Sequence, residues 1–444
     1  MKDINRRDFI KLSSIALGGI VLAGCGGGST KSPNGYSYYR IKSIDDKLPL
    51  QGGSLQISDF LGSAHISSNG IISFDAQDIN KRRGVFQLGV EFNGSEPKIK
   101  WERSALRTGE QLVDERVVSS WSNYDVDEAG NIAAIIDADP DKSSDDHFGS
   151  GLYHAQAGGS FNPILIAGQE FNGGSIKSSG IFYCASIKNN RMIVSLHHLP
   201  AGDYRSTHRD SLLHIPNGSL SSANLLISKG DYLADSDYKV QSFGLLDHND
   251  SGDYTATVFA SAPALEATLN GVSTELKGSF NFSAHVDSPN DHQMVTASPT
   301  LGVNSALSYG EAGYAPRIGP KGETYALLRN GDQIALVKDN KTLLSTDDVT
   351  PTGKILHIGT GSVSADGLYY YSARTESADS TLFAFDGLEH IKLLTSGDYL
   401  SDGGPPVARI MFGTTKRHVD SENRLVFCCS FTDGSTSLVV GLPS

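Results

Sequence analysis

After residue 35, apolar residues occur in short runs that are separated by turns rich in Gly, Asn, Asp and Ser. No stretch of this region keeps the 3.6-residue apolar period of an amphipathic helix. Short apolar runs bounded by turn residues are typical of β-strands. The pattern therefore predicts an all-β protein.

One unit recurs along the chain: a turn that ends in Gly or Asn, followed by an apolar strand. The turn residue stands at positions 70, 130, 190, 252, 322, 367 and 423, with spacings of 60, 60, 62, 70, 45 and 56 residues. A β-branched residue precedes it by four positions in five copies, at Ile66, Val126, Ile318, Val363 and Val419. Each copy therefore predicts strand–turn–strand, with Gly or Asn supplying the positive φ of the turn.

Each copy continues with a third apolar run and then an apolar pair before a polar turn. Four short strands per roughly 60 residues are the content of a propeller blade. A ring of blades also avoids a single core of ~400 residues, because layered cores stop growing beyond about 250–300 residues. The sequence predicts a β-propeller of seven four-stranded antiparallel blades over residues 36–444. The fifth unit, near residues 262–318, is the least regular, so six or eight blades and a linear β-solenoid stay open as alternatives.

The two ends of the repeat region complement each other. The last unit stops at its third strand, residues 436–441, and residues 36–44 stand where a fourth strand belongs but have no blade of their own. An apolar strand edge without a partner is an aggregation liability. We therefore predict that residues 36–44 pair antiparallel with residues 436–441 and close the ring.

Several turns match a known repeat signature. Asn249–Ala256 reads Asn-Asp-Ser-Gly-Asp-Tyr-Thr-Ala, Asp127–Ala134 has Gly at the same place, and Asp420–Phe427 keeps the spacing with Asn for Gly. These segments resemble the tandem family with the signature Asn-x-x-Gly-x-x-Ala-Phe, which is found in exported bacterial proteins. The resemblance implies repeated β structure in an envelope or secreted protein, and it transfers no catalytic residues.

The N-terminus has the pattern of an export signal. A basic segment precedes an apolar run from Leu12 to Gly24, which is shorter than the ~20 residues of a membrane span. The segment resembles the twin-arginine signal in four residues, Arg6, Arg7, Phe9 and Lys11. An ordinary secretory signal that carries two arginines is the alternative.

The apolar run ends in Leu22-Ala23-Gly24-Cys25, which resembles a bacterial lipobox. The resemblance implies a signal peptide over residues 1–24 and a diacylglyceryl group on Cys25, through which acyl chains such as palmitate hold the protein in the envelope. Residues 25–35 then form the lipidated Cys and a flexible Gly-rich tether. Gly26 follows the Cys where an inner-membrane protein would have Asp, so we expect the outer membrane.

The net charge of the chain limits the classes of partner that it can bind. With 37 Lys+Arg against 50 Asp+Glu the formal net charge is −13, which argues against nucleic acid and against adhesion to anionic lipid. The acyl chains are therefore the expected membrane attachment of a monomeric body. Four Cys are too few for a disulfide scaffold, and Cys184, Cys428 and Cys429 are expected to be small buried residues.

The best metal candidate is an acidic loop with alternate carboxylates, at Asp137, Asp139, Asp141 and Asp145. Ca²⁺ prefers several oxygen ligands of this kind, although a solvated loop explains the same residues. Residues 247–253 form a second calcium-like segment, but it coincides with a repeat turn, where Asn, Asp and Gly are expected anyway. We expect no other cofactor.

Two further groups are candidates for chemistry. His197, His198, His208 and His214 cluster in the third unit, where they predict a metal or acid–base site or simply surface residues around a loop over residues 199–211. Four arginines flank repeat strands and are candidates for the mouth of a propeller channel, namely Arg317, Arg329, Arg374 and Arg409.

Two functions follow from these patterns. The first is an envelope lipoprotein whose propeller is a binding or scaffold module for a protein or glycan. It agrees with the signal, the tether and the absence of a nucleophile elbow, a phosphate-binding loop and a His-Glu-x-x-His motif from the sequence. The alternative is a hydrolase or lyase whose residues converge on the central channel from several blades.

Overall fold

The computed structural model of the chain describes residues 35–50, 53–92, 96–139, 149–171, 174–176, 181–200, 209–233, 236–262, 276–296, 314–330, 333–339, 341–412 and 417–444. These residues form a seven-bladed β-propeller of antiparallel sheets, so the predicted fold class and blade number are confirmed. Within the same ranges no helix has the length and apolarity needed to cross a membrane.

The first four blades follow one another along the chain. Blade one contains β2 (Lys47–Leu50), β3 (Gly53–Ile66), β4 (Ile71–Asp78), β5 (Arg83–Glu91) and β6 (Lys98–Arg107), and blade two contains β7 (Val117–Val126), β8 (Ile132–Asp139), β9 (Gly149–Ala155) and β10 (Asn162–Ile166). Blade three contains β11 (Glu170–Phe171), β12 (Gly174–Ser175), β13 (Ile181–Lys188), β14 (Arg191–Pro200), β15 (Arg209–Ile215), two 3₁₀ turns (Pro216–Gly218 and Leu220–Ser222) and β16 (Asn224–Ser228), and blade four contains β17 (Lys239–His248), β18 (Asp253–Ala262), β19 (Leu276–His285) and β20 (Ser288–Thr296).

The last three blades complete the ring. Blade five contains β21 (Tyr314–Ile318), β22 (Thr324–Asn330), β23 (Gln333–Lys338) and β24 (Lys341–Ser345), and blade six contains β25 (Val349–Thr350), β26 (Gly353–Val363), β27 (Tyr369–Thr375), β28 (Thr381–Phe385) and β29 (His390–Thr395). Blade seven contains β30 (Val407–Met411), β31 (Leu425–Phe431), β32 (Thr436–Pro443) and, from the other end of the chain, β1 (Tyr36–Ser43).

Ring closure follows the prediction from the sequence. β1 pairs antiparallel with β32 from Tyr36 opposite Pro443 to Ser43 opposite Ser437. The side chain of Tyr38 is buried, and its ring meets Phe427 edge to face at 6.0 Å. The N-terminal strand is therefore an integral part of blade seven.

The irregular fifth unit of the sequence is assigned differently in the structure. Residues 276–296 provide β19 and β20, which complete blade four, and blade five begins only at β21. The segment 262–318 is thus not a blade of its own. The sequence pattern does not reveal this assignment, because the outermost strand of blade four lacks an apolar alternation. This strand, β20, reads Ser-Pro-Asn-Asp-His-Gln-Met-Val-Thr.

The hydrophobic core lies between blades. Each of six described apolar clusters combines residues of two neighbouring blades, as where Val85 of blade one packs with Trp121 and Tyr153 of blade two. Because both faces of a blade are covered, its central strands are apolar on both sides. β31 illustrates this with the sequence Leu-Val-Phe-Cys-Cys-Ser-Phe, in which six of the seven residues are buried.

The repeat turn of blade two packs against the preceding blade. Gly130 has φ +82°, and a Cβ added there would lie 2.6 Å from Cδ1 of Ile71 in blade one. Gly367 has a similar φ of +89°, but an added Cβ would meet nothing within 4 Å. The two glycines therefore separate the cost of backbone conformation from the cost of packing.

We expect Gly367→Ala to lower stability by about 1 kcal/mol, the usual cost of a left-handed conformation for a residue with a Cβ. Gly130→Ala has the same conformational cost and must also displace Ile71. We therefore expect it to lower the stability by about 2–3 kcal/mol in total. Thermal melting of both variants measures the difference. Equal melting temperatures would show that the turn of blade two is not packed against blade one.

Candidate functional site

A ring of polar residues surrounds the central channel. Each innermost strand has an edge without a neighbouring strand, so its N–H groups need other partners. In each blade, one polar residue lies at or near the last-but-one position of the innermost strand, or at the corresponding position of the chain. Each of these seven residues is at most 4% exposed. We call this set the polar ring: His65, Asp125, Ser186, Asp247, Arg317, Ser362 and His418.

Members of the polar ring bind the backbone of the next blade. Oδ2 of Asp125 accepts the N–H of Ile187 at 3.1 Å, and Oδ2 of Asp247 accepts the N–H of Ile318 at 3.1 Å. Nε of Arg317 donates to the Gly361 carbonyl oxygen at 2.9 Å. These bonds satisfy inner-strand polar groups and join consecutive blades.

Other members contact side chains or amides of the next blade. The imidazole of His65 lies 5.0 Å from the ring of Tyr124, and a 2.9 Å hydrogen bond joins Ser186 Oγ to Nδ1 of His248. Oγ of Ser362 accepts the N–H of His418 at 3.0 Å. The polar ring therefore acts first as a clamp between blades.

A cavity of about 230 Å³ opens above the polar ring, at the end of the channel where the first strand of each blade turns into the second. We call this end the mouth. The turns have a fixed shape because their first residue caps the backbone: Oδ1 of Asp127 accepts the N–H groups of Ala129 and Asn131 at 3.0 and 2.9 Å. The next residue of the turn is thereby presented to the cavity, as with Ser68, Glu128, Asp250 and Ser421.

Blade three departs from this turn and supplies a cation. Its strands are joined through Asn189 and Asn190, both with positive φ, in the manner of a two-residue hairpin turn. Lys188 therefore occupies the place of the capping residue. Its Nζ lies 4.0 Å from Oδ1 of Asp247 in blade four, and both side chains are buried.

Arg417 of the last unit reaches across the mouth. Its guanidinium forms an ion pair with Glu128 of blade two, whose Oε2 also accepts the N–H of Ser68 at 3.0 Å. Only 10% of the Arg417 side chain is exposed. Its Nε is buried and has no hydrogen-bond partner among the described residues.

The charges of this pair are held in their ionised forms. Burial alone would raise the pKa of Glu128, but Arg417, the Ser68 amide and Lys188 hold it below its usual value. Burial likewise opposes the charge of Arg417, yet its pKa is raised by nearby carboxylates, namely Glu128, Asp125, Asp250 and Asp247. Neither group is therefore poised for proton transfer near neutrality.

The calcium candidates are only partly described. Asp137 lies in β8, where its Oδ2 accepts a hydrogen bond from Ser120 Oγ at 2.7 Å. Asp139 ends that strand, its side chain lies outside the described residues, and so do Asp141 and Asp145. In the ranges that the structure describes, no three His, Cys, Asp or Glu side chains are grouped to hold a metal ion. The calcium site stays a prediction of the sequence.

The second calcium-like segment is a structural turn. Oδ1 of Asn249 accepts the N–H groups of Gly252 and Asp253, each at 3.0 Å, and Asp247 belongs to the polar ring. The signal and lipidation residues, Arg6, Arg7, Phe9, Lys11 and Cys25, lie outside the described residues.

The histidines of blade three do not converge on one site. His197 Nδ1 pairs with Asp210 Oδ1 at 2.5 Å, and His214 Nδ1 bonds Asn224 Oδ1 at 3.1 Å. His198 is buried against Phe171, and burial lowers its pKa to about 4. His198 and His214 are thus buried strand residues and not surface residues, because β14 and β15 extend further than the sequence suggests. His208 lies outside the described residues.

Of the four arginine candidates, the structure places only Arg317 at the mouth. Arg329, Arg374 and Arg409 are exposed near the other end of their strands. The three described cysteines are buried thiols, as expected, and burial raises the pKa of Cys428 to about 12.

Sequence reasoning missed Glu128, Lys188 and Arg417 as mouth residues. A signal for the polar ring does exist: in most copies a polar residue directly precedes the β-branched residue that ends the inner strand, as in His65-Ile66 and Asp125-Val126. Its members differ in charge and size, so a search for one residue type does not find it.

The sequence matches no protein-family model and no curated protein. Solved propellers are similar in fold. An ulvan lyase described as a new family of polysaccharide lyase aligns with 11% identity over 90% of this chain and 95% of that one, with a TM-score of 0.41. YCF48 from Cyanidioschyzon merolae aligns with 12% identity over 92% and 99%, with a TM-score of 0.39. A gluconolactonase from Xanthomonas campestris has 11% identity over 91% and 100%, with a TM-score of 0.32.

Proposed function

We propose that the chain is an exported, lipid-anchored envelope protein whose propeller binds a basic segment of a protein partner at the channel mouth. The observation that carries this proposal is a set of exposed carboxylates in the turns around the cavity, which we call the rim. The charged side chains deeper in the cavity already form ion pairs with each other, as Arg417 does with Glu128 and Lys188 with Asp247. The Cys25 anchor and the twin-arginine signal enter the proposal from the sequence.

The rim is acidic because the turns at the mouth expose carboxylates. Asp250, Asp366 and Glu422 are exposed in the turns of blades four, six and seven, and Glu128 is partly exposed. Lys321 is an exposed cation of the same turns. Such a rim attracts a basic segment and accelerates its encounter with the mouth.

The cavity suits an inserted side chain. At about 230 Å³ it is smaller than the 300–1,000 Å³ typical of drug-sized ligands. Apart from His248, its described lining contains no aromatic ring on which a sugar could stack. A protein partner is therefore favoured over a glycan at this position.

The mouth supports binding better than catalysis. Glu128 forms an ion pair with Arg417, and Asp247 contacts Lys188 and accepts the N–H of Ile318. These contacts fix the positions of both carboxylates in the absence of a ligand. Preorganised charges of this kind contribute to specificity.

The test uses the Cys25→Ser chain, which we expect to be exported and recovered in the soluble periplasmic fraction. A photo-crosslinking residue at Ala365, which is exposed at the mouth, should capture one protein. Asp250→Asn with Asp366→Asn and Glu422→Gln should reduce that capture at least tenfold, and wild-type capture should fall with added salt.

The matched control removes the same charge from the opposite end of the propeller, with Glu376→Gln, Asp379→Asn and Asp433→Asn, which are also exposed. This control should capture the partner normally. Equal loss in both triple variants would contradict a specific site at the mouth. A captured molecule that is cleaved on incubation would instead favour the hydrolase or lyase alternative, and membrane attachment of the Cys25→Ser chain would contradict the lipid anchor.

A further inference from the structure

The cavity at the mouth has two chemically different sides. In its described lining, every apolar side chain belongs to blade five, six or seven, namely Ile318, Pro320, Val363, Ala365 and Val419. Carboxylates line the other side, at Glu128 in blade two and at Asp247 and Asp250 in blade four. A ligand that fills the cavity therefore meets apolar groups on one side and carboxylates on the other.

One carboxylate of this lining has no cation beside it. Three others are paired with a buried cation, namely Glu128 with Arg417, Asp247 with Lys188 and Asp420 with Arg424. Asp250 is exposed and forms no ion pair among the described residues. A cation of the ligand therefore gains most at Asp250.

The turn that carries Asp250 is held in place by its backbone. Asn249 caps the turn by accepting two amide N–H groups, and Nη1 of Arg191 in blade three donates to the Asp250 carbonyl oxygen at 3.2 Å. Neither contact uses the Asp250 carboxylate. This acceptor is therefore positioned in the absence of a ligand, which lowers the cost of ordering on binding.

The cations that line the cavity already have acceptors. Arg417 and Lys188 lie beside carboxylates. Arg317 donates from Nε and Nη1 to the carbonyl oxygens of Gly361 and Pro316, at 2.9 and 3.1 Å. An anionic ligand would compete with these contacts, so the cavity favours a cationic one.

We propose that the cavity takes a single arginine side chain of the basic segment, with its aliphatic stem against the apolar side and its guanidinium on the Asp250 carboxylate. This inference rests on the proposed function and names the residue that inserts. An arginine combines an apolar stem with a charged head, which matches the two sides of the cavity. Arginine is favoured over lysine because a guanidinium is more weakly hydrated than an ammonium and donates two parallel N–H groups to one carboxylate.

The test measures binding of a fluorescent peptide, Gly-Ser-Lys-Gly-Arg-Gly-Lys-Ser-Gly, to the Cys25→Ser chain by fluorescence anisotropy. Three further peptides replace the central arginine by lysine, by an arginine homologue whose stem is one methylene shorter, or by citrulline. The first two keep the charge of the peptide, and citrulline removes it. We expect binding to weaken at least fivefold with lysine, about threefold with the shorter homologue and at least tenfold with citrulline.

Variants of the protein locate the inserted side chain. Asp250→Asn should weaken the arginine peptide about tenfold and reduce the preference for arginine over lysine to less than twofold. Val363→Thr keeps the shape of a partly buried lining residue but adds a hydroxyl, and it should weaken the arginine peptide about threefold. Glu376→Gln removes one exposed carboxylate at the opposite end of the propeller and is the matched control, which should bind like the parent chain.

Equal affinity for the arginine, lysine and shortened peptides would overturn the inference, because the rim would then attract positive charge without an inserted side chain. It is also overturned if no peptide binds, or if Asp250→Asn keeps the full preference for arginine. Melting curves of all variants exclude loss of folding as the cause. Capture of a partner at Ala365 is measured separately, so a captured protein without a preference for arginine would contradict the insertion and leave the proposed function standing.

Discussion

Deletion of residues 36–43 should destabilise the propeller by at least about 5 kcal/mol or make it aggregate, because it removes a row of ladder hydrogen bonds and two buried tyrosines together. Tyr36 also links blades through its hydroxyl, which lies 3.1 Å from that of Tyr370 in blade six. The loss exposes β32 as an apolar edge strand. Thermal melting and light scattering of the Cys25→Ser chain measure both effects.

Point substitutions in β1 refine this test. Tyr38→Ala removes a ring that is 1% exposed and should cost about 3–5 kcal/mol. Tyr39→Ala, on the neighbouring and less buried position, should cost much less. An unchanged melting temperature in the deletion variant, with the protein still monomeric, would mean that the ring is closed by something other than β1.

Arg417→Met should destabilise the protein by about 3 kcal/mol, at the lower end of the cost of breaking a buried ion pair, since 33% of the Glu128 side chain is exposed. The variant leaves Glu128 beside the carboxylates of the mouth without its cation. Arg417→Met combined with Glu128→Gln should recover much of the loss. Denaturation of the single and double variants yields the coupling energy of the pair.

The pH dependence of this effect has a definite sign. In the parent chain the pKa of Glu128 is lowered, so its contribution to stability is present above the unfolded pKa and is lost as pH falls through the folded pKa. In Arg417→Met, burial without the cation raises that pKa, so acidification relieves the unpaired charge. The stability difference between the two proteins should therefore shrink as pH falls from 7 to about 4. A constant difference would show that Arg417 acts through packing alone.

Much of the fold could be predicted because turn chemistry is local. A positive φ at Gly70 or Asn423 requires one of few residue types, and those types recur once per blade. The closing strand could be predicted from an unpaired strand at each end of the repeat region. The outermost strand of blade four, β20, could not, because an outermost strand has one solvated side and needs no apolar pattern.

The mouth was harder to predict than the fold. Arg417 and Glu128 are 289 residues apart in the chain, and their meeting depends on the curvature of the whole ring. The backbone partners of Asp125 and Asp247 lie in the next blade, so local sequence does not reveal whether such a carboxylate is solvated or structural. The histidines of blade three illustrate the opposite case. They are close together in the sequence, but their side chains contact different neighbours and do not form one site.

The position of β1 has a mechanical consequence. Tyr36 begins this strand at the mouth end, where its hydroxyl donates to the Asn423 carbonyl oxygen at 2.8 Å. If a lipid anchor pulls on the chain through Gly35, the tension runs along β1 and loads its ladder with β32 in shear, so that all seven register pairs resist together. A pull directed across the strand would instead separate these pairs one at a time. A propeller tethered at this strand should therefore resist a pull along β1 better than a pull across it.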